Sequence, residues 1–475
     1  MADPPTASWE PVIGLEIHMH LKTRTKMFCR CPVEYGAREN SNTCPVCLAF
    51  PGALPVPNRQ AIEDCIELGL ALDCEIAERA VFHRKNYFYP DLPKAYQISQ
   101  YDEPLCRDGH LVVPTAEGDV TVGIVRAHLE EDAAKNVHVA ASGRIHGATA
   151  TLVDFNRGGT PLVEIVTAPD IHDSDTAKRF LQLLRQTVVE LGLSDAELEK
   201  GSMRFDVNVS VRPRGSDELR TRTELKNMNS FSFAAKGIER EIARQIRVYE
   251  GGGTVEQETL HFDPLHEDSP PMRSKEEAED YRYFPEPDLV PVHPPVEVVE
   301  RLRGQVRELP SARIRRIAGT LSFYDADVLV TGGLDRLWSD VVEAGAEPKE
   351  AANVLANSFV ATGIDSERVD AAELAKLVRA RATIRRDAFD EALARVGDDG
   401  FSADPYLEQT VVADASELDP VIESVLAANP GQVEQYRGGK EGLLGFFVGR
   451  VKKETAGKAD PRVVNERVRE KLGAP

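Results

Sequence analysis

Val12-Ile13-Gly14-Leu15-Glu16-Ile17-His18-Met19-His20-Leu21 alternates apolar and polar residues with a period of two. Successive side chains of a strand point to opposite faces. Leu15, Ile17, Met19 and Leu21 therefore share one face, and Glu16, His18 and His20 the other. The first face needs a core. The second sets a carboxylate and two imidazoles in a row on a rigid element, where metal or proton chemistry can be built, although a half-buried strand with a wet polar face has the same pattern. Directly behind it stand Cys29-x-Cys31 and Cys44-x-x-Cys47. Two close thiol pairs can close a tetrahedral zinc site; two disulfides or four separate thiols are the alternatives, and a reducing compartment favours the metal.

Outward from this stretch, 475 residues are too many for one core, so two to four domains are expected. Apolar residues make up 42%, too many for a disordered chain. No apolar run reaches the length of a membrane span, and Met1-Ala-Asp-Pro-Pro lacks the features of a signal peptide. With seven cysteines, an odd number, a reduced, cytoplasmic chain is expected. The net charge of −21 opposes nonspecific binding of nucleic acid. Residues 430–475, however, carry ten Lys and Arg against six Asp and Glu. Such a basic end, with Lys440, Arg450, Lys452 and Lys453 as candidates, suits one localised polyanion contact or an ordinary solvated helix face.

Helical spacing predicts helices over Asn58–Ile76, Asp175–Leu191 (capped by Asp173 or Ser174, stopped by Gly192) and Ser230–Tyr249. Cys65 and Cys74 read as core thiols. Arg84-Lys85-Asn86-Tyr87-Phe88-Tyr89-Pro90-Asp91 cannot be a regular helix, and its mixture of aromatics and cations suits either base stacking with phosphate neutralisation or a loop that plugs a core. Val120–Leu129 runs into Glu130-Glu131-Asp132, three carboxylates that repel unless a cation or donors hold them. Asn156 to Pro161 is a turn before a strand over Leu162–Val166. Arg204, Asp206, Asn208 and Ser210, then Arg222, Glu224 and Lys226, alternate with apolar residues or threonines, which predicts two antiparallel strands. Beyond a Pro-rich stretch ending near His293 come only short helical patterns: 311–320, 334–344, 349–361, 371–380 and 385–396, then 419–428, 443–451 and 461–472. There is no G-x-x-x-x-G-K-[ST], G-x-G-x-x-G or G-x-S-x-G, which argues against P-loop, dinucleotide-binding and α/β-hydrolase enzymes.

Several stretches together resemble one family. Ile13-Gly14-Leu15-Glu16-Ile17-His18, Arg84 to Asp91, His128-Leu129-Glu130-Glu131-Asp132-Ala133, Glu224-Leu225-Lys226-Asn227 and Asp280-Tyr281-Arg282-Tyr283-Phe284-Pro285-Glu286-Pro287-Asp288 are similar, in order, to the GatB subunit of the aspartyl/glutamyl-tRNA amidotransferases. Leu444-Gly445-Phe446-Phe447-Val448-Gly449 and Ala459-Asp460-Pro461 resemble that family's tail. The resemblance implies an α+β chain: a mixed, largely antiparallel β-sheet cradle with helices and the zinc loop over 1–293, a small helical bundle over 294–406, and a helical tRNA-binding tail over 407–475. It implies an ATP-dependent carbon–nitrogen ligase that works as a heterotrimer. The GatB chain would phosphorylate the side-chain carboxylate of Glu-tRNA(Gln) or Asp-tRNA(Asn). Ammonia from the amidase partner would displace the phosphate, and a third polypeptide would join the two. Mg2+ ligands map onto His18, Glu131 and Glu224, with Glu16 beside them; a histidine suits Mn2+ better than Mg2+. Strand parity sets Glu131 with Val125 and Leu129 instead of Glu130, so a bulge or a strand end is needed for that choice. The resemblance gives Lys85 and Tyr87 to nucleotide phosphates and the acceptor end, Asp206 and Asn208 to support of the ligands, and a structural role to Zn2+. His20 replaces the family's Gln or Glu, Phe205 its Cys, and Leu260 to His266 depart from its usual wording. The competing expectation is a zinc-stapled tRNA-binding module without chemistry of its own, but a passive RNA binder should line its sheet with Lys and Arg, not Glu16, Glu131, Asp206 and Glu224.

Overall fold

The structure is a computed structural model that describes residues 8–140, 147–226, 228, 230–261, 271–274, 281–411, 415–455 and 459–473. Asn227, 262–266 and Asp280 of the motifs above lie outside the described residues. The chain divides into two compact units between Arg313 and Ile314.

Unit one contains strands β1 (Trp9–His20), β2 (Glu75–Ile76), β3 (His83–Asn86), β4 (Tyr96–Ser99), β5 (Cys106–Thr115), β6 (Gly118–Glu131), β7 (Lys135–His138), β8 (Thr151–Asp154), β9 (Pro161–Thr167), β10 (Met203–Pro213), β11 (Thr223–Lys226), β12 (Glu258–His261), β13 (Pro271–Ser274) and β14 (Phe284–Pro285). Nine of them form one sheet, in the order β13-β12-β11-β10-β1-β9-β6-β5-β2. Every adjacent pair is antiparallel except β11 with β12. The opening stretch is thus the central strand of the sheet. Its alternation is kept: Ile13, Leu15, Ile17 and Met19 are at most 1% exposed, while Glu16, His18 and His20 are half-buried. Burying each such aliphatic side chain is worth about 1.5–3 kcal/mol, enough to fix the register, because a slip of one residue would turn all four to the wrong face.

The apolar face is covered by helices α1 (Arg59–Ala71), α2 (Ser174–Glu190) and α3 (Phe231–Glu250), which pack on β6, β5 and β10 respectively, with α2 also on α3. Asp173 caps α2 through its carboxylate to Thr176 N, and Ser230 caps α3 through its hydroxyl to Phe233 N. Phe180, Leu181, Leu184 and Val188 of α2 and Ile238, Ile242 and Ile246 of α3 are buried, as their spacing predicts. α1 stops five residues short of Ile76. Asp73 takes φ 54°, a left-handed conformation that Asp tolerates, and the chain turns so that Glu75 and Ile76 pair with Arg107 and Cys106 of β5. A smaller sheet, β14-β3-β4, joins stretches roughly two hundred residues apart in sequence.

Unit two is helical. Its helices include Phe323–Thr331, Asp335–Glu343, Pro348–Val354, Ala371–Ala380 and Arg386–Arg395, then Ala415–Ala427, Pro430–Arg437, Leu444–Glu454 and Pro461–Leu472. The first of these lies outside the expected helical stretches, although its buried residues Ala326, Leu329 and Val330 do follow helical spacing. The last four share a core that includes Leu418, Ile422, Phe447, Val451, Val464 and Val468. No described helix is long and apolar enough to cross a membrane.

Candidate active site

Antiparallel register decides which polar side chains meet. His18 of β1 lies opposite Arg204 of β10 on one side and Glu164 of β9 on the other, and Glu164 lies opposite His128 of β6. Directly paired residues share a face, so His18, Glu164, His128 and, two residues along β6, Glu130 stand together. His18 Nε2 is 3.4 Å from Glu130 Oε1 and 3.4 Å from Glu164 Oε2, and His128 Nε2 is 3.4 Å from the same Glu164 oxygen. One ligand atom each from His18, Glu130 and Glu164 falls within 4.8 Å of the others. Ligands about 2.1 Å from a small divalent ion stand roughly 3 Å apart, so the spacing fits one. Burial alone would lower the His18 imidazole, but the carboxylates of Glu164 and Glu130 override it and raise it to about 9. A proton on His18 and a divalent cation therefore compete for the same place.

Next to this acidic group is a basic one. Asp132, buried just past the end of β6, accepts from Arg204 Nη2 at 2.9 Å and lies 2.7 Å from His20 Nε2 and 3.4 Å from Arg157 Nε. Burial would raise its carboxyl, yet Arg204, His20 and Arg157 hold it well below the usual carboxylate range. Farther along the same face, Lys226 donates to Asp206 at 2.8 Å and sits 3.6 Å from Glu224, while Asn208 donates to Glu16 at 2.9 Å. Thr259 donates to the second oxygen of Glu224 at 2.9 Å.

Aromatic side chains face these carboxylates. Pairing of β3 with β14 brings the Arg84 and Tyr281 stretches together: Asn86 Nδ2 donates to Tyr281 O and Arg282 O, and Arg84 forks onto Glu286 at 2.7 and 2.8 Å. Tyr87 meets Tyr281 edge-on at 6.1 Å, Tyr283 stacks on Tyr101 at 4.3 Å, and Lys85 Nζ lies 4.8 Å from the Tyr281 ring centre. Burial, then Glu130 for Tyr87 and Glu164 for Tyr283, keeps both phenols protonated as hydrogen-bond donors. Phe88 and Tyr89 stand exposed at the rim.

Cys29, Cys31, Cys44 and Cys47 are free thiols whose sulfurs all lie within 4.8 Å of one another. This group could hold a metal. Cys47 is driven to its thiolate, down to about 4, chiefly by a hydrogen bond from Cys29, with Lys26 helping. Lys26, 1% exposed, puts Nζ 3.7 Å from Cys47 Sγ and donates to Phe155 O at 2.9 Å. Asn42 N donates to Asn156 Oδ1 at 2.8 Å. The loop is thereby fastened to the segment that carries Arg157 and leads into β9.

The structure does not bring His18, Glu131 and Glu224 together; the group it brings together is His18, Glu130 and Glu164. Glu131 keeps the strand parity of Leu129 and turns away from His18: its carboxylate pairs with Lys94 and accepts from Ile98 N at 3.0 Å. No bulge intervenes at this point, since Glu130 and Glu131 continue the ladder against Leu162 and Pro161. Glu224 shares the face of His18 but stands two strands over and four residues along, since it pairs with Asn208 while His18 pairs with Arg204, ~16 Å away at the backbone. Glu16, Asp206 and Asn208 are on that face as expected, and Lys85 and Tyr87 are beside it. Missed were Glu164, the one acid in the period-two strand Leu162–Val166, and Asp132 with Arg157, whose partners only the fold supplies. Lys440 is exposed in the connection between helices Pro430–Arg437 and Leu444–Glu454, and Arg450, Lys452 and Lys453 are exposed on the second of these, with Arg450 over the Phe446 ring at 5.4 Å.

The GatB/GatE catalytic domain family matches residues 11–300, and the GatB domain family matches residues 336–472. The B subunit of aspartyl/glutamyl-tRNA(Asn/Gln) amidotransferase from Anaeromyxobacter sp. is 46% identical over 488 residues, covering 99% of this chain and 100% of that protein. The proteins of the same name from Chlorobium phaeobacteroides and Geobacter sulfurreducens are 44% and 46% identical over 482 and 480 residues, each covering 98% of this chain and 99% of the relative.

Proposed function

The chain belongs to the GatB family of aspartyl/glutamyl-tRNA(Asn/Gln) amidotransferase subunits, and from that membership we propose how its sheet face contributes to the reaction of this carbon–nitrogen ligase. The side-chain carboxylate of Glu-tRNA(Gln) or Asp-tRNA(Asn) attacks the terminal phosphorus of ATP. The bond to the β,γ-bridging oxygen breaks, ADP leaves, and an acyl phosphate forms. Ammonia released by an amidase partner then adds to the acyl carbon, loses a proton and expels phosphate, leaving the amide. A carboxylate cannot lose oxide directly, so phosphorylation supplies the leaving group. A third polypeptide of the heterotrimer holds the amidase and this chain together.

His18, Glu130 and Glu164 would hold a divalent ion, Mg2+ or Mn2+, which neutralises the anions brought together in the first step. The mixed nitrogen and oxygen donor set suits Mn2+ at least as well as Mg2+. The other groups are the chain's own. Lys85 meets nucleotide phosphates, and Tyr87 donates to an oxyanion from a side where no proton can be lost to the neighbouring acids. Lys226 orients Asp206 and Glu224, and Asn208 orients Glu16, so that this end of the face stays anionic and turned toward the site. The Cys29, Cys31, Cys44 and Cys47 group takes Zn2+ as a staple outside the chemistry. The separate core of residues 418–472 supports a tail domain over 407–475, with residues 294–406 as a helical domain preceding it in the sequence. Such an enzyme works in the cytoplasm, where its tRNA is charged.

The observation that carries this reading is the meeting of His18, Glu130 and Glu164 on one sheet face beside Arg204 and the tyrosines. The test is ATP turnover by the assembled heterotrimer with and without glutamyl-tRNA. The proposal expects turnover that requires the tRNA and falls in Glu130→Gln; unchanged turnover in that variant would favour a passive role in presenting substrate. For the tail, Lys452→Ala with Lys453→Ala should weaken tRNA binding and lower the log–log salt slope by about 2. A salt slope equal to wild type would remove the tail lysines from the contact.

A further inference from the structure

Asp132 serves more cations than one carboxylate can neutralise. Arg204 Nη2 meets its Oδ1 at 2.9 Å; His20 Nε2 and Arg157 Nε meet its Oδ2 at 2.7 and 3.4 Å. Arg157 is fixed further by donating from Nε to Ala133 O at 2.9 Å and from Nη2 to Ala134 O at 2.7 Å. Asp132 is 4% exposed, whereas the Arg204 and Arg157 side chains are 44% and 34% exposed. The carboxylate therefore lies underneath, and the outer edges of two anchored guanidiniums remain reachable. No acceptor among the described residues meets Arg204 Nε or Nη1.

The position of Arg204 is the second observation. It is the ladder partner of His18, so a fixed positive charge stands directly beside the group that would hold a divalent cation. Glu130 and Asp206 offset part of that charge, and an anion lying between the two cations would offset more of it. Guanidiniums held in place before the anion arrives lose little entropy on binding it and match its paired oxygens.

We propose that Arg204 and Arg157, braced by Asp132, form an oxyanion receptor beside the His18, Glu130 and Glu164 group, with Arg204 touching the anion that bridges the two. The anion is either the phosphoryl group in transfer or the side-chain carboxylate of the aminoacyl-tRNA; both present oxygens in the same planar pairing. This rests on the phosphoryl-transfer reading above.

The test uses the assembled enzyme, with Arg204→Gln and Arg204→Lys beside wild type. Wild type must first show tRNA-dependent ATP turnover; if it does not, the underlying reading falls and the receptor with it. Given that turnover, Arg204→Gln is expected to lose about 100-fold in kcat, to regain part of it with added guanidinium ion, and to bind Mn2+ as wild type does by electron paramagnetic resonance. Arg204→Lys keeps the charge without the fork and should fall between the two. Weaker equilibrium binding of a non-hydrolysable ATP analogue would place the phosphoryl group on Arg204; a raised KM for glutamyl-tRNA with analogue binding intact would place the carboxylate there. Unchanged kcat and unchanged affinities overturn the proposal. So does a loss of kcat that guanidinium does not restore and that comes with loss of Mn2+ binding, since that is the signature of a merely structural role.

Discussion

Glu164→Gln in the assembled enzyme is expected to lower tRNA-dependent ATP turnover by about 10²–10³-fold, with the chain still folded. Glu164 Oε2 lies 3.4 Å from both His18 and His128, so one carboxylate organises two imidazoles. A carboxamide has nearly the same shape but no charge, and its NH2 would face an imidazole nitrogen in place of an acceptor oxygen. A divalent ion would lose one anionic ligand of the three groups within reach of it. Because Glu164 sits mid-strand between Val163 and Ile165, both fully buried, the isosteric change leaves packing alone. Single-turnover formation of ADP, measured alongside far-ultraviolet circular dichroism, checks it. Turnover within a factor of a few of wild type would remove Glu164 from the site.

The second large effect concerns the thiol group. Cys47→Ser should abolish bound zinc, read by elemental analysis of the purified chain, and cost at least about 3 kcal/mol in urea unfolding. Cys47 is the thiol held as thiolate, and its Sγ also accepts from Cys44 N at 3.2 Å. With it gone, the buried Lys26 ammonium loses its nearest anionic neighbour. The damage should spread in one direction, through Phe155 O and Asn156 to Arg157, so affinity for an anionic ligand should drop more than affinity for Mn2+. A variant that keeps its zinc, or loses it with no change in unfolding midpoint, would show that the four cysteines are not a staple.

How far the sequence could be read depends on how local the signal is. The central strand, α2, α3 and the pair of strands carrying Asp206 and Glu224 follow from periodicity and caps, which are properties of ten to twenty neighbouring residues. Glu130 was also within reach: parity along β6 separates it from Glu131, and register against β9 keeps that parity to the end of the strand. The family resemblance points instead to Glu131, whose carboxylate is engaged by Lys94 and Ile98 N. The pairing of β3 with β14 and the convergence of His20, Arg157 and Arg204 on Asp132 were not legible. Those contacts join residues 25 to 202 positions apart, and nothing in the local pattern of Arg157, which reads as part of a turn, marks its partner. α1 ended early because a single Asp adopted a left-handed conformation, a choice made by the strand pairing that follows and not by the helix.

The most direct measurement of the central claim is Mn2+ binding to the purified protein, titrated by electron paramagnetic resonance in wild type, Glu130→Gln, Glu164→Gln and Glu131→Gln. Binding of one ion between His18, Glu130 and Glu164 predicts that the first two variants lose the tight site and that Glu131→Gln keeps it. A tight site that survives Glu130→Gln and vanishes in Glu131→Gln would contradict it.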